Sequence, residues 1–168
     1  SYEAVEKREP DLYQRVKERI DSGKWQATGA MYVESDTMIA CGEALARSFT
    51  LGQAGFEAIN GALSKLTWLP DVFGYSACLP QIMKQTGVEY FFTTKMTWNA
   101  INRFPYSSFI WRGNDGSEIL AHVTQESGYV THMEIDHVKA PMHANQQADV
   151  HEEYLLPTGY GDGGGGAT

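Results

Sequence analysis

The stretch Trp68-Leu69-Pro70-Asp71-Val72-Phe73-Gly74-Tyr75-Ser76-Ala77-Cys78-Leu79-Pro80-Gln81 sets one carboxylate among aromatic side chains at a strand-to-helix junction. Pro70 has no N–H to give to a sheet and restricts Leu69 to extended conformations, so Leu66 to Leu69 reads as a strand that ends there. Asp71 follows at the strand's carboxyl end, which is where α/β folds bind ligands. Trp68, Phe73 and Tyr75 offer flat faces of the kind that stack on sugar rings. Gly74 lets the chain turn into a helix from about Ser76, on which Leu79, Ile82 and Met83 share a face and which Gly87 ends. An aspartate just ahead of a helix also serves as a cap, so position alone leaves both roles open.

Val88 to Thr93 reads as a buried strand. Strand, site residue, helix, glycine and strand make a βαβ unit, which requires part of the sheet to be parallel. Lys95 and Trp98 lie just past the second strand and therefore on the same rim as Asp71. A lysine there would favour the ionised carboxylate by charge pairing.

Upstream, Glu9-Pro10-Asp11 starts a helix whose stripe is Leu12, Tyr13, Val16 and Ile20, with Gly23 as its stop. Trp25, Ala27, Met31 and Val33 alternate with small or polar residues, a strand pattern ending at Glu34-Ser35-Asp36, a second candidate site loop. From Glu43 to about Ile59 the spacing is helical, with Gly52 and Gly55 as early stops. Downstream, Tyr106 to Trp111 and Glu118 to Val123 are joined by Gly113-Asn114-Asp115-Gly116-Ser117, a hairpin signal, and are expected outside the parallel core. Thr124 to Asn145 reads as loop, Gln146 to Glu153 as a short helix, and Tyr154-Leu155-Leu156-Pro157 as a strand running into a glycine-rich loop.

The 168 residues suit one domain, and a 42% hydrophobic content is enough for a core. A formal net charge of -8 disfavours nucleic acid and anionic membrane surfaces and suits a neutral or cationic small substrate. Cys41 and Cys78 have no CxxC spacing, so they read as free thiols in a reducing, cytoplasmic setting. No apolar run approaches the roughly 20 residues that cross a bilayer. The first thirty residues lack the apolar core of a signal peptide. The opening at Ser1 and the ending in Gly163-Gly164-Gly165-Gly166-Ala167-Thr168 suggest a segment of a longer protein, single-domain over 1–168 and truncated at both ends.

His122, His132, His137, His143 and His151 show no HExxH or HxH spacing, which favours surface or hydrogen-bonding roles over metal ligation. There is no Gly-x-Ser-x-Gly elbow, and the terminal glycines lack the Lys-Ser/Thr of a phosphate loop. A pair of carboxylates remains, Asp71 and Asp162, each at the carboxyl end of a predicted strand. That pairing suits glycoside hydrolysis, one carboxyl attacking or stabilising an oxocarbenium-like centre while the other exchanges a proton with the leaving oxygen.

The stretch from Trp68 to Ile82 resembles the nucleophile motif of family 38 glycoside hydrolases, the class II α-mannosidases. Four further stretches agree with it in order: Tyr32-Val33-Glu34-Ser35-Asp36 with Gly42-Glu43-Ala44-Leu45; Tyr90 to Asn99; Asp115 to His122; and Leu156 to Gly166. The resemblance implies an α/β catalytic domain on a mostly parallel, seven-stranded, barrel-like sheet, here with a β-hairpin insertion. It implies retaining hydrolysis of terminal α-mannosidic bonds, assisted by a divalent metal, usually Zn2+. By match to the motif, Asp71 is the nucleophile and a metal ligand, Phe73 lines the subsite of the cleaved mannose, and Lys95 lies near the nucleophile. Trp98 and Tyr129 are candidates for sugar contacts, and Asp162 falls in the region that carries the general acid/base.

The sequence departs from the family pattern where it lacks the His-x-Asp metal motif and the later histidine ligand, so the segment alone is expected to be inactive. Ser35 and Ala167 stand where proline is common. The alternatives are a non-catalytic carbohydrate-binding module, which would keep the aromatics without needing both aspartates, and a metal-dependent polysaccharide deacetylase, whose mark would be paired histidines.

Overall fold

Two parallel strands, β1 (Leu66–Trp68) and β2 (Tyr90–Thr93), carry the stretch that frames Asp71, and they pair Leu66 with Tyr90, Thr67 with Phe91 and Trp68 with Phe92. This is a computed structural model, and it describes residues 2–124, 134–151 and 153–159. Leu69 still donates its N–H to the Phe92 carbonyl at 3.0 Å, the last regular bond of this ladder, and the next N–H on that side, that of Asp71, goes to Glu34 instead.

The helices precede and bridge these strands. Tyr2–Arg8 forms α1, Pro10–Asp21 forms α2 with the proline in its first turn, and Gly42–Asn60 forms α3. A short helix, α4 (Leu79–Gln85), crosses between β1 and β2 and buries Leu79 and Met83. The expected βαβ unit is therefore present. The helix expected from Glu9-Pro10 is α2, and α1 precedes it without a start signal of that kind.

The hairpin of β3 (Ser108–Arg112) and β4 (Glu118–Val123) forms as expected, but it is not an insertion outside the parallel core. β4 pairs parallel with β2, Tyr90 opposite Leu120 through Thr93 opposite Val123, so the sheet order is β1-β2-β4-β3 with β3 alone antiparallel. The fold is mixed α/β on a four-stranded sheet among the described residues. One face buries Phe91, Ile119 and Ala121 against Leu45 and Phe49 of α3 and Leu79 and Met83 of α4. On the other, the register stacks Trp68, Phe92 and His122 side by side, with ring centroids 4.1 Å and 6.2 Å apart.

Five other expectations are corrected. Residues 25–33 do not make a strand: only Gly29 bridges Thr67, and Gly29 and Ala30 adopt φ of 137° and 61°, which breaks an extended run. Gly52 and Gly55 do not stop α3. Gly52 instead lets the helix press on the backbone of residues 30–32, since a Cβ there would fall 2.2 Å from the Ala30 carbonyl oxygen. Between Thr124 and Asn145 lies a helix, α5 (Ile135–Ala144), with Pro141 inside it, while residues 146–150 form turns and 154–157 no strand.

Candidate functional site

Asp71 lies eight residues ahead of α4, whose first turn begins at Leu79 behind Cys78, so it does not cap that helix. Its carboxylate instead meets Lys95, with Nζ 2.7 Å from Oδ1. The lysine side chain is 2% exposed and the aspartate side chain 37%. Lys95 belongs to a 3-10 turn, Lys95–Thr97, that directly follows β2. The pair therefore joins the carboxyl ends of the two adjacent parallel strands.

The ammonium is also held by two rings. Its nitrogen stands 3.5 Å from the Trp98 ring centroid and 4.8 Å from that of Phe73, the geometry of a cation–π contact. Phe73 and Trp98 meet edge to face, 5.9 Å apart, and are 71% and 64% exposed. Exposed aromatic surface beside a charged, water-accessible carboxylate is what a flat, hydroxylated ligand would stack upon.

The loop Glu34-Ser35-Asp36 comes to the same place. Asp71 donates its backbone N–H to Glu34 Oε1 at 3.0 Å, and Thr37 Oγ1 donates to the Gly74 carbonyl at 2.7 Å. Gly74 has φ of +140°, and a Cβ on it would sit 2.9 Å from Met38 Cγ, so the two loops close only over a glycine. They enclose a cleft of about 290 Å³ lined by Glu34, Ser35, Asp36, Asp71, Val72 and Phe73. Within it Asp36 Oδ1 accepts the Met38 and Ile39 N–H groups at 2.8 Å and 3.0 Å, which occupies it in holding its own turn.

A second cavity, of about 670 Å³, opens on the other side of Phe73, between Lys95, Trp98 and the aromatic wall of Tyr75, Phe91 and Trp111. The Tyr75 phenol donates to the Leu69 carbonyl at 3.1 Å and is bonded to Thr93 Oγ1. Burial pushes it up to about 12, opposed by the Thr93 hydrogen bond and helped by the charges of Glu34 and Asp71. It is a neutral hydrogen-bond donor at any working pH.

At the far edge of the same rim, residues beyond β4 dock on the start of β3 through Gln147, whose amide oxygen accepts the Ser107 and Ser108 N–H groups and whose Nε2 donates to the Ser108 carbonyl. Ser107 Oγ adds bonds to Asn145 and His151, and Ser108 Oγ meets His122 Nδ1 at 2.9 Å. The described histidines of this cluster make hydrogen bonds.

As a metal centre, the described residues are incomplete. Among them no three His, Cys, Asp or Glu side chains gather around one point. Asp71 can give one carboxylate, but one of its oxygens is already paired with an ammonium. A divalent ion does not fit this donor set by itself. Tyr129 and Asp162 lie outside the described residues. Of the expected site residues, the fold thus brings together Asp71, Phe73, Lys95 and Trp98. To these it adds Glu34, from the second candidate site loop; Tyr75, expected as a stacking face, is instead a hydrogen-bonded wall of the second cavity, and Thr94, which carried no site signal, donates to the Pro70 carbonyl beside it.

Among the described residues no helix is long and apolar enough to cross a membrane. The chain is similar to several curated and solved proteins. Alpha-mannosidase G of Dictyostelium discoideum is 39% identical over 168 residues, covering 100% of this chain and 16% of the relative. Alpha-mannosidase 2C1 of Homo sapiens is 39% identical over 166 residues, 99% of this chain and 16% of the relative. The chain thus spans about 16% of the length of these relatives. The crystal structure of an alpha-mannosidase from Enterococcus faecalis V583 superposes with a TM-score of 0.61 at 23% identity, over 72% of this chain and 14% of that one, a likeness of fold. The family model for the N-terminal domain of glycosyl hydrolases family 38 matches residues 1–168, and the chain accordingly belongs to that family.

Proposed function

We propose that the protein carrying this chain hydrolyses terminal α-mannosidic bonds of oligosaccharides with retention of configuration, and that Asp71 is its nucleophile. The observation that carries this reading is the half-exposed Asp71 carboxylate, ion-paired with buried Lys95 at 2.7 Å and flanked by the exposed rings of Phe73 and Trp98. Its support beyond the geometry is the family and the mannosidase names of its relatives.

In the first step an Asp71 oxygen bonds to the anomeric carbon as the bond from that carbon to the leaving oxygen breaks, and an acid gives that oxygen a proton. Asp162, in the glycine-rich stretch, is the residue proposed for this acid. In the second step water attacks the same carbon, the ester to Asp71 breaks, and the conjugate base takes the water's proton. Lys95 balances the carboxylate's charge and fixes its direction. Phe73 and Trp98 offer stacking faces to the sugar, and Tyr129 is proposed as a further contact.

The four strands are read as part of a seven-stranded barrel-like sheet in a domain that runs beyond these residues. A divalent metal, zinc by the resemblance, would find in Asp71 one ligand only, so no step here runs through it, and the 168 residues alone are read as inactive. The free cysteines support a reducing, cytoplasmic setting.

The test is made in the full-length protein. Asp71→Asn abolishes turnover of all α-mannosides, because an amide does not attack an anomeric carbon. Asp162→Ala slows substrates with poor leaving groups by roughly 10²- to 10⁴-fold while sparing activated aryl mannosides. Mannoside binding without turnover in the wild type would instead mark a binding module.

A further inference from the structure

The regular backbone ladder between β1 and β2 ends at the Leu69 N–H, because alternate residues of β1 face β2 and the next N–H on that side, that of Asp71, is given to Glu34 Oε1. Strand pairing relates each β1 residue to the one 24 places on: 66 to 90, 67 to 91 and 68 to 92. The offset nevertheless persists beyond the strands. Side chains carry it: Tyr75 links Leu69 to Thr93, Thr94 links to Pro70, and the next pair in the series is Asp71 with Lys95.

The two links have defined directions. The Leu69 carbonyl can only accept, so the Tyr75 O–H donates to it, and the Thr93 hydroxyl in turn donates to the phenol oxygen. Thr93 Oγ1 then accepts the Lys95 backbone N–H at 3.2 Å. One continuous chain of hydrogen bonds therefore runs from the Lys95 backbone to the Leu69 backbone. Beside it, Thr94 Oγ1 donates to the Pro70 carbonyl at 2.6 Å, with the Thr94 N–H reaching the same oxygen at 3.4 Å. The Tyr75 ring is itself anchored edge-on to Phe91 at 5.1 Å and to Trp111 at 6.4 Å, and Thr93 and Thr94 are fully buried. Buried, fully partnered networks of this kind hold a single geometry.

We infer that Tyr75 and Thr94 are positioning residues that replace the missing ladder and set the register between Asp71 and Lys95. This rests on the reading of Asp71 as nucleophile only for its consequence in catalysis; the tie itself is a matter of geometry. Neither side chain needs to touch the substrate.

The experiment uses the full-length protein with Tyr75→Phe, Thr94→Val and both together, and reads structure and kinetics side by side. In crystals of the double variant the Lys95 Nζ to Asp71 Oδ1 separation opens beyond about 4 Å, while residues 66–68 stay paired with 90–92. On an aryl α-mannoside, kcat per folded molecule falls by roughly 10- to 100-fold, the scale of a small misplacement of a reacting group. KM stays within about twofold, and Thr94→Ser recovers most of the loss seen with Thr94→Val. A purely structural role would lower the folded fraction and leave kcat per folded molecule alone. An ion pair still at its original distance in the double variant overturns the inference, as does a serine variant no better than valine. If the double variant does not fold, each single variant is read by the same two measures. A wild type inactive on mannosides overturns the proposed function alone, and the measured distance still decides the positioning role.

Discussion

Lys95 Nζ stands 2.7 Å from Asp71 Oδ1 with the lysine side chain almost wholly buried and the aspartate facing water. The arrangement is asymmetric: the cation is sealed by Phe73 and Trp98, and the anion is left open on the cleft side. A pair built for stability alone gains nothing from an open anion, whereas a carboxylate that must meet a ligand needs it.

Lys95→Met should therefore affect function more than folding. Removing the ammonium leaves Asp71 partly hydrated, so the stability cost is about 1–3 kcal/mol, the range for a charged hydrogen bond. Hydrolysis should fall by roughly 10²-fold, as when an electrostatic partner is taken from a reacting group. Chemical denaturation and steady-state kinetics on the same preparation separate the two effects.

Gly52 and Gly55 share a helix but should respond to alanine with opposite signs. At Gly52 a Cβ meets backbone atoms at 2.2 to 2.4 Å, and at Gly55 it meets nothing within 4 Å. Gly52→Ala forces α3 away from residues 30–32 and costs roughly 1–3 kcal/mol. Gly55→Ala gains roughly 0.5–1 kcal/mol of helix propensity. Thermal midpoints of the two variants check this, and equal shifts would contradict the close approach.

His122 gives stability a pH dependence. Burial, and then the neighbouring His151, hold its imidazole below the usual histidine range, and its ring lies against Phe92 and Ser108. Between the folded and the ordinary value the unfolded chain binds more protons, so this contribution is complete above about pH 6.5 and is lost as pH falls through the lower, folded value. Thermal midpoints should drop on acidification from about pH 8 to about pH 5, and His122→Gln should flatten that slope. An unchanged slope would assign the titration elsewhere.

The neighbourhood of Asp71 was legible in the sequence because its punctuation is local. Pro70 ends a strand, Gly87 ends a helix, and a βαβ unit puts both strand ends on one rim. The partner of β4 was not legible, since a hairpin signal fixes the β3 edge and says nothing of what pairs on the other. Alternation over Trp25 to Val33 imitated a strand that the left-handed backbone at Ala30 interrupts. In α5 Pro141 and the polar surroundings hid a helix from periodicity. Tyr75 signalled only a stacking face and Thr94 nothing at all, because a hydrogen bond from a threonine to a carbonyl 24 residues away has no pattern in one dimension.

The role of Asp71 is tested most directly by trapping its ester. The full-length protein is incubated with a mannoside whose activated leaving group departs quickly and whose second step is slow, then digested and analysed by mass spectrometry. A single added mannosyl unit is expected on the peptide containing Asp71, lost again when turnover completes. A mannosyl unit on any other residue, or turnover that inverts the anomeric centre with no labelled peptide, would contradict that role.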